Sequence, residues 1–176
     1  MYLISTNDIK KFKLLEPVLA QNKFVYELDS ILNFFGKLVF DFKENSLDVI
    51  YEKKSKNFKF PFIYSDLITF LHDISSNTKL KIDKLIYYPG ANDLQYINNK
   101  INLRDTHNII LSTIYIHNLT GIKKNDLCKI LWPHDYETHV NKLDTHLTNL
   151  KQLVLKELNY DLKIKSENGL LSININ

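Results

Sequence analysis

The sequence contains one cysteine, Cys128, so no disulfide can form within the chain. Cys128 falls in the apolar phase of a helical segment, which predicts a small side chain filling the core. The four glycines are isolated, so no glycine-rich phosphate loop is present. No apolar run approaches the roughly 18–20 residues of a membrane span, and the first residues lack the order of a secretory signal. We therefore expect a cytoplasmic protein.

The net charge is also small. The 23 basic residues and 20 acidic residues leave a net charge of +3, and Arg104 is the only arginine. Residues 100–176 hold ten basic and eight acidic side chains, so that half is near +2. This excess is weak evidence for nucleic-acid binding by itself. With 176 residues, 44% of them hydrophobic, the chain can form one large domain or two small ones.

Residues 122–155 have the periodicity of two amphipathic helices, separated by a short loop that begins at Trp132-Pro133. The apolar positions are Leu127, Ile130 and Leu131 in the first helix, and Val140, Leu143, Leu147, Leu150 and Val154 in the second. The outer face of the second helix is polar. A hairpin pattern follows, with strands at 162–165 and 170–175 and a turn at Glu167-Asn168-Gly169. Helix, helix and hairpin is the order of a winged helix-turn-helix.

Specific motifs support that order. They are Lys123-Lys124-Asn125-Asp126-Leu127, Trp132, Leu143-Asp144-Thr145-His146-Leu147-Thr148-Asn149-Leu150-Lys151, Asn168-Gly169-Leu170 and, upstream, the run from Leu103 to Leu111. Residues 82–175 therefore resemble the C-terminal DNA-binding domain of OmpR/PhoB-type response regulators, and the Leu-Asp-Thr-His form is most similar to an alphaproteobacterial branch. The resemblance implies an α+β protein with a small antiparallel sheet before the helices. It implies a nucleoid-associated transcription regulator of a two-component system, with double-stranded DNA and a homodimer as partners and RNA polymerase as a further candidate.

The chain departs from that family at several positions. The two arginines of the recognition helix are replaced by Asn149 and Lys151, and the opening glutamate is His107. The arginine and tyrosine of the wing are absent. Arginine binds guanine and phosphate in a bidentate way that lysine and asparagine cannot reproduce. A second reading stays open, in which the chain is a protein-interaction module, derived from a response regulator, that has lost DNA binding.

Candidate DNA contacts follow from residue type and position. Asparagine pairs with adenine and threonine contacts the thymine methyl, so the outer face of the second helix favours an A/T-leaning site. Lysines near helix ends and in the wing are suited to phosphates. The candidates are Lys123 and Lys124 for phosphate, Thr138 and His139 for the DNA backbone, Asn141, Lys142, Thr145 and Asn149 for bases, and Lys151 and Lys165 for phosphate.

The N-terminal half resembles a shortened receiver. We predict a strand at 2–4, a helix over 9–21 kinked or shortened by Pro17, a strand at 24–26 and a helical turn at 31–35. Further expected elements are strands at 37–42, 47–51 and 58–62, a solvated loop at 52–57, a helix at 67–74 capped by Ser65 or Asp66, and a linker at 75–79. The expected domains are 1–76, receiver-like and dimerising, and 80–176, DNA-binding.

The phosphorylation chemistry of a receiver is largely missing. Asn7-Asp8 stands where an acidic pair would hold Mg²⁺, and Phe60 stands at the position of the conserved lysine, with Lys59 one position away. Asp41 is the one candidate acceptor, and we expect it to be an ordinary strand aspartate that is not phosphorylated. The domain is then predicted to dimerise through its apolar helix face or to bind a partner protein.

No other chemistry is indicated. Five histidines, His107, His117, His134, His139 and His146, accompany Cys128 in sequence, but their spacing matches no common zinc pattern. His146 is expected to be buried at the base of the recognition helix. We predict no catalytic residues, no metal, no cofactor, no small-molecule substrate and no membrane association. The chain is not expected to be an enzyme.

Overall fold

The computed structural model describes residues 1–22, 24, 26–28, 35–134 and 140–175. The chain divides into two compact units, Met1–Thr78 and Lys79–Asn176. Both units combine helices with sheets, which confirms the predicted α+β class. No helix in the described ranges is long and apolar enough to cross a membrane.

The first unit contains one five-stranded mixed sheet with the order β2-β1-β3-β4-β5. Strand β1 is parallel to β2 and β3, and β4 is antiparallel to β3 and β5. Strands β1, β3 and β5 therefore run in one direction and end at the same edge. The elements are β1 (Tyr2–Thr6), α1 (Ile9–Lys13), α2 (Glu16–Gln21), β2 (Tyr26–Glu27), β3 (Lys37–Phe42), β4 (Ser46–Tyr51), β5 (Lys54–Lys59) and α3 (Tyr64–Asn77).

The core of this unit forms from two periodicities. Alternate residues of β3, namely Leu38, Phe40 and Phe42, are buried, as a strand with one covered face requires. Helix α3 buries Leu67, Leu71 and Ile74 in the same core. The apolar face of α3 is therefore covered by the core of its own unit. Pro17 lies in the first turn of α2, where it ends the predicted long helix and starts a second.

Three expectations for the first unit were wrong. The predicted loop at 52–57 is mostly strand, because β5 (Lys54–Lys59) pairs with β4 and ends three residues before the expected strand end at 62. Its lysines are tolerated on an exposed edge strand, where charge also discourages further pairing. Helix α3 begins at Tyr64 without a side-chain cap, and Asp66 lies in its first turn instead.

The third error concerns the linker at 75–79. Helix α3 continues to Asn77, and Thr78 is buried. The Thr78 hydroxyl donates to the carbonyl of Ile74 at 2.8 Å and shares a 2.6 Å hydrogen bond with the Tyr2 hydroxyl. This polar residue is therefore part of the core. The predicted helical turn at 31–35 falls mainly outside the described residues, as does Val25 of the predicted strand at 24–26.

The second unit begins with a four-stranded antiparallel meander, β6-β7-β8-β9, and ends with a three-stranded sheet of order β10-β12-β11. Three helices lie between them in sequence. The elements are β6 (Leu80–Ile82), β7 (Leu85–Tyr88), β8 (Asp93–Tyr96), β9 (Asn99–Asn102), α4 (Asp105–Ile116), β10 (Ile122–Lys123), α5 (Lys124–Leu131), α6 (Val140–Leu158), β11 (Ile164–Glu167) and β12 (Leu170–Ile173). Helices α4, α5 and α6 pack against one another, and α6 also packs against β9.

The hairpin β11-β12 turns at Asn168-Gly169, and both residues have positive φ, 51° and 77°. Such φ values are those of the tight turns that join twisted antiparallel strands, and Asn-Gly is the favoured pair there. Cys128 is fully buried, as predicted. Ile130 was expected to face inward but is half exposed, because the buried side of α5 is formed by Leu127 and Cys128, with Leu131 half-buried.

Candidate nucleic-acid interface

Helix α6 separates an apolar face from a polar face along its 19 residues. Leu143, Leu147, Leu150 and Val154 are buried at i, i+4, i+7 and i+11. Six exposed polar side chains lie on the opposite side, namely Asn141, Lys142, Thr145, Thr148, Asn149 and Gln152, and Leu155 of the same helix is also 52% exposed. The Thr145 and Thr148 hydroxyls donate to the carbonyls of Asn141 and Asp144, at 3.2 and 2.9 Å. These two residues therefore keep acceptor lone pairs and methyl groups for an outside contact.

The lysines at the start of α5 differ in their contacts. Lys123 is exposed at the junction of β10 and α5. Lys124 forms an ion pair with Asp144 of α6, with 2.6 Å between Nζ and Oδ1. This pair joins α5 to α6 and neutralises the charge that was expected to contact phosphate.

Lys151 is occupied in a similar way. It is half-buried, and its Nζ donates to the carbonyl of Ile164 at 3.1 Å. That bond connects α6 to β11. Lys165, on the same strand, is exposed. Of the two lysines proposed for the helix end and the hairpin, only Lys165 is fully presented to solvent.

A row of neighbouring side chains runs from the polar face of α6 into the unit. The Lys142 Nζ lies 4.9 Å from the centre of the Trp132 ring, and the Trp132 and His146 rings are 5.7 Å apart. His146 is in turn 6.0 Å from His107 of α4. Trp132 therefore holds the Lys142 side chain by a cation–π contact.

The two histidines are held in an environment that disfavours their charged form. His107 is buried, and its Nδ1 has no hydrogen-bond partner among the described residues. Burial lowers the pKa of His107, and the nearby His146 and Arg104 lower it further. Burial also lowers the pKa of His146, with Lys142 contributing. His146 is half-buried rather than buried as expected, and its ring lies near both Trp132 and His107.

Two further candidates, Thr138 and His139, lie outside the described residues. The remaining base-reading candidates, Asn141, Lys142, Thr145 and Asn149, share one exposed face. Helical periodicity predicted that face because it separates buried from exposed positions. It could not predict the internal partners of Lys124 and Lys151.

The receiver-like positions in the first unit have structural partners. The Asn7 amide donates to Asp41 Oδ1 at 2.7 Å and to the carbonyl of Phe42 at 2.9 Å. Asp8 caps α1, since its Oδ1 accepts from the amides of Lys10 and Lys11. Asp41 itself lies within β3, opposite Asp48 of β4, instead of following the strand. Within the described ranges, no group of three or more His, Cys, Asp or Glu side chains is placed to hold a metal ion.

An apolar groove of about 480 Å³ lies at the edge where β3 and β5 end. No motif predicted this groove, although the alternating aromatic residues at 58, 60, 62 and 64 were a signal for it. Its lining consists of Lys11, Leu14, Leu15, Phe42, Glu44, Phe60, Pro61, Phe62 and Tyr64. Phe60, at the position expected for a receiver's lysine, is therefore part of an aromatic surface.

No protein-family model and no curated protein sequence matches the chain. The second unit offers a polar helix face beside exposed lysines. The first offers an apolar groove.

Proposed function

We propose that this chain is a sequence-specific, double-stranded-DNA-binding transcriptional regulator, resembling the OmpR/PhoB type, that acts as a homodimer at the nucleoid. In this proposal the second unit is a winged helix-turn-helix. Helices α5 and α6 form the helix-turn-helix, α6 is the recognition helix, and the β11-β12 hairpin is the wing. RNA polymerase is the partner class through which such a regulator acts.

The exposed face of α6 carries the proposal. Six polar side chains lie along one side of a long helix, and five of them are uncharged. Amide and hydroxyl groups are suited to base edges in the major groove, where asparagine pairs with adenine and threonine contacts the thymine methyl. An A/T-leaning binding site follows from this composition.

The charge distribution agrees with this assignment. Residues 1–78 carry ten basic and ten acidic side chains, and residues 79–176 carry thirteen basic and ten acidic side chains. The whole excess of +3 is therefore on the proposed DNA-binding unit. Among the candidate DNA contacts that the structure describes, Lys123, Lys142 and Lys165 have no ion-pair partner, so their charges remain available to DNA.

Control by phosphorylation is not part of the proposal. A receiver needs carboxylates that hold Mg²⁺ and a lysine that neutralises developing charge. Here Asn7 donates to the only candidate acceptor, Asp41, and Phe60 replaces the lysine. We infer that the first unit is a degenerate receiver-like module. Incorporation of phosphate at Asp41 from a small phosphodonor with Mg²⁺ would contradict this part.

The test is fluorescence anisotropy with a pool of randomised duplexes at several salt concentrations. Each phosphate contact contributes about −0.9 to the slope of log K against log salt, so three available lysines predict a slope of about −3 per copy. Lys142→Glu should reduce binding at every salt concentration. Lys81→Glu, on β6 at the far edge of the meander from β9, makes the same charge change away from α6 and should leave binding nearly unchanged.

A second candidate function is a protein-interaction module without DNA binding. The observation that favours it is the internal use of Lys124 and Lys151, together with the exposed carboxylate of Asp144 beside the polar face. It predicts no salt-sensitive binding to any duplex by the wild-type protein. Equal losses from Lys142→Glu and Lys81→Glu would also refute the assignment of α6 as the reading element.

A further inference from the structure

The groove of the first unit exposes apolar side chains that a folded domain normally covers. Leu14 is 71% exposed, Tyr64 47% and Phe60 39%. The aromatic rings form a connected row, with Phe60 and Phe62 centred 5.7 Å apart and Phe62 and Tyr64 5.6 Å apart. Leu15 and Phe42 form the buried floor. This arrangement has the apolar centre that protein interfaces require.

The size of this surface limits what it can bind. Large aromatic side chains each present about 150–250 Å² when fully accessible, so the exposed parts of the lining sum to an apolar patch on the order of 300–500 Å². Patches of that size on a monomer are commonly functional. A standard interface needs about 800 Å² from each partner, so this patch with its polar rim is suited to a small interface of modest affinity.

The charges around the groove indicate the kind of partner. Lys11 and Glu44 are both exposed and both line it. Residues 1–78 are neutral overall, with ten basic and ten acidic side chains. A strongly charged partner therefore gains no net electrostatic attraction at this surface. One cation and one anion beside an apolar centre are complementary to the same surface after a two-fold rotation.

We propose that the groove is the surface through which two copies of this chain dimerise. Leu14 of each copy packs against the aromatic row of the other, and Lys11 of each faces Glu44 of the other. This inference deepens the homodimer of the proposed function by naming its surface. It is measured without DNA, so its failure and the failure of DNA binding are separate results.

The first experiment is analytical ultracentrifugation of the full chain from about 1 to 200 µM, the range expected for an interface at the small end of the size scale. The wild type should change from monomer to dimer across that range. Leu14→Asp should remain monomeric. Leu119→Asp is the matched control, because Leu119 is 73% exposed but belongs to the second unit, and it should dimerise like the wild type.

The second experiment tests the charges. Lys11→Glu alone should fail to dimerise, because it places two carboxylates at each contact, and Glu44→Lys alone should fail because it places two amines there. An equimolar mixture of the two variants should form a heterodimer, since each contact then joins opposite charges. The double variant should also dimerise. Lys11 lies only 3.8 Å from Asp8 within its own copy, so circular dichroism must first establish that Lys11→Glu is folded.

The outcomes separate clearly. Dimerisation of the mixture, but of neither variant alone, supports an intermolecular Lys11–Glu44 contact, which no effect within one copy reproduces. A wild-type chain that stays monomeric at the highest concentration overturns the proposal. So does a dimer that persists in folded Leu14→Asp. A mixture that remains monomeric while the wild type dimerises excludes this pairing of charges and the two-fold arrangement built on it.

Discussion

Replacing His107 by leucine is expected to make the second unit less sensitive to acid. His107 is 7% exposed and lies in the first turn of α4, where a positive charge is also opposed by the helix dipole. Its Nδ1 has no described partner, and its neighbours Arg104 and His146 are themselves basic. The native environment therefore favours the neutral imidazole.

The sign of the effect follows from the lowered pKa values. The ordinary histidine pKa is 6.5, and both His107 and His146 lie below it in the folded chain. Unfolded histidines therefore bind protons first as pH falls. The stabilisation by the neutral pair is fully present above pH 6.5 and is lost as pH decreases through the folded pKa values. Each histidine can change the free energy of unfolding by at most about 1.4 kcal/mol per pH unit, so the two together can reach about 2.7 kcal/mol per pH unit.

His107→Leu should remove about half of that slope below pH 6.5. It also removes a buried nitrogen without a described partner, which should raise the stability at pH 7.5 by about 1 kcal/mol. The assay is urea unfolding followed by the fluorescence of Trp132, the only tryptophan in the chain. Its ring contacts His146, so the signal reports this unit.

His72→Gln is the matched control, because His72 is exposed on α3 of the first unit. It should leave the Trp132 unfolding curves unchanged at every pH. The reasoning is refuted if wild type and His107→Leu have the same dependence of unfolding free energy on pH between 7.5 and 5. A wild-type curve that rises in stability toward pH 5 would refute the sign itself.

Three other substitutions have defined outcomes. Thr78→Val removes the hydroxyl that lies 2.6 Å from the buried Tyr2 hydroxyl, and it should lower the free energy of unfolding by about 1–3 kcal/mol in thermal melts followed by circular dichroism. Thr78→Ser keeps a hydroxyl and should lower it less. Equal losses from the two variants would contradict the role given to this hydrogen bond. Leu143 is fully buried in α6, so Leu143→Ala should lower the free energy of unfolding by about 2–5 kcal/mol, measured by Trp132 fluorescence. A loss below about 1 kcal/mol would mean that α6 is not packed as described. Asp144→Asn releases Lys124 from its ion pair and should change the free energy of unfolding by less than about 1 kcal/mol. The slope of log K for DNA binding against log salt should become steeper by about one. An unchanged slope would show that Lys124 cannot reach a phosphate.

The sequence was most informative where local periodicity and tertiary burial agree. The spacing of Leu143, Leu147, Leu150 and Val154 predicts a helix face directly, and that face is buried. The Asn168-Gly169 pair predicts a tight hairpin, and both residues adopt the required positive φ. Each of these signals is complete within a few residues, so no knowledge of the rest of the chain was needed.

The errors occurred where a distant residue decides the structure. The segment from Lys54 to Asn57 is polar enough to be a loop, but β4 offers it an unpaired edge, and backbone hydrogen bonds do not depend on side-chain type. Thr78 is typical of a linker by composition. It becomes a core residue because Tyr2, 76 positions earlier, supplies a hydroxyl partner. Neither partner can be recognised from a local pattern.

The same limit applied to the candidate site. Periodicity placed Asn141, Thr145 and Asn149 on one exposed face, but it could not distinguish an available lysine from an occupied one. Lys124 meets a carboxylate 20 positions later, and Lys151 meets a carbonyl 13 positions later. Both distances depend on how α5, α6 and the hairpin pack.

The small number of available lysines makes the dimer important for the proposed function. A single copy with about three phosphate contacts has little of the sequence-independent affinity on which most DNA-binding proteins depend. Two copies joined through the first unit would bind two half-sites, and the second contact would then form at the high effective concentration that linkage provides. If both proposals hold, the modest groove interface and the weakly charged helix face would each be insufficient alone. Together they would make DNA occupancy depend steeply on the concentration of the protein.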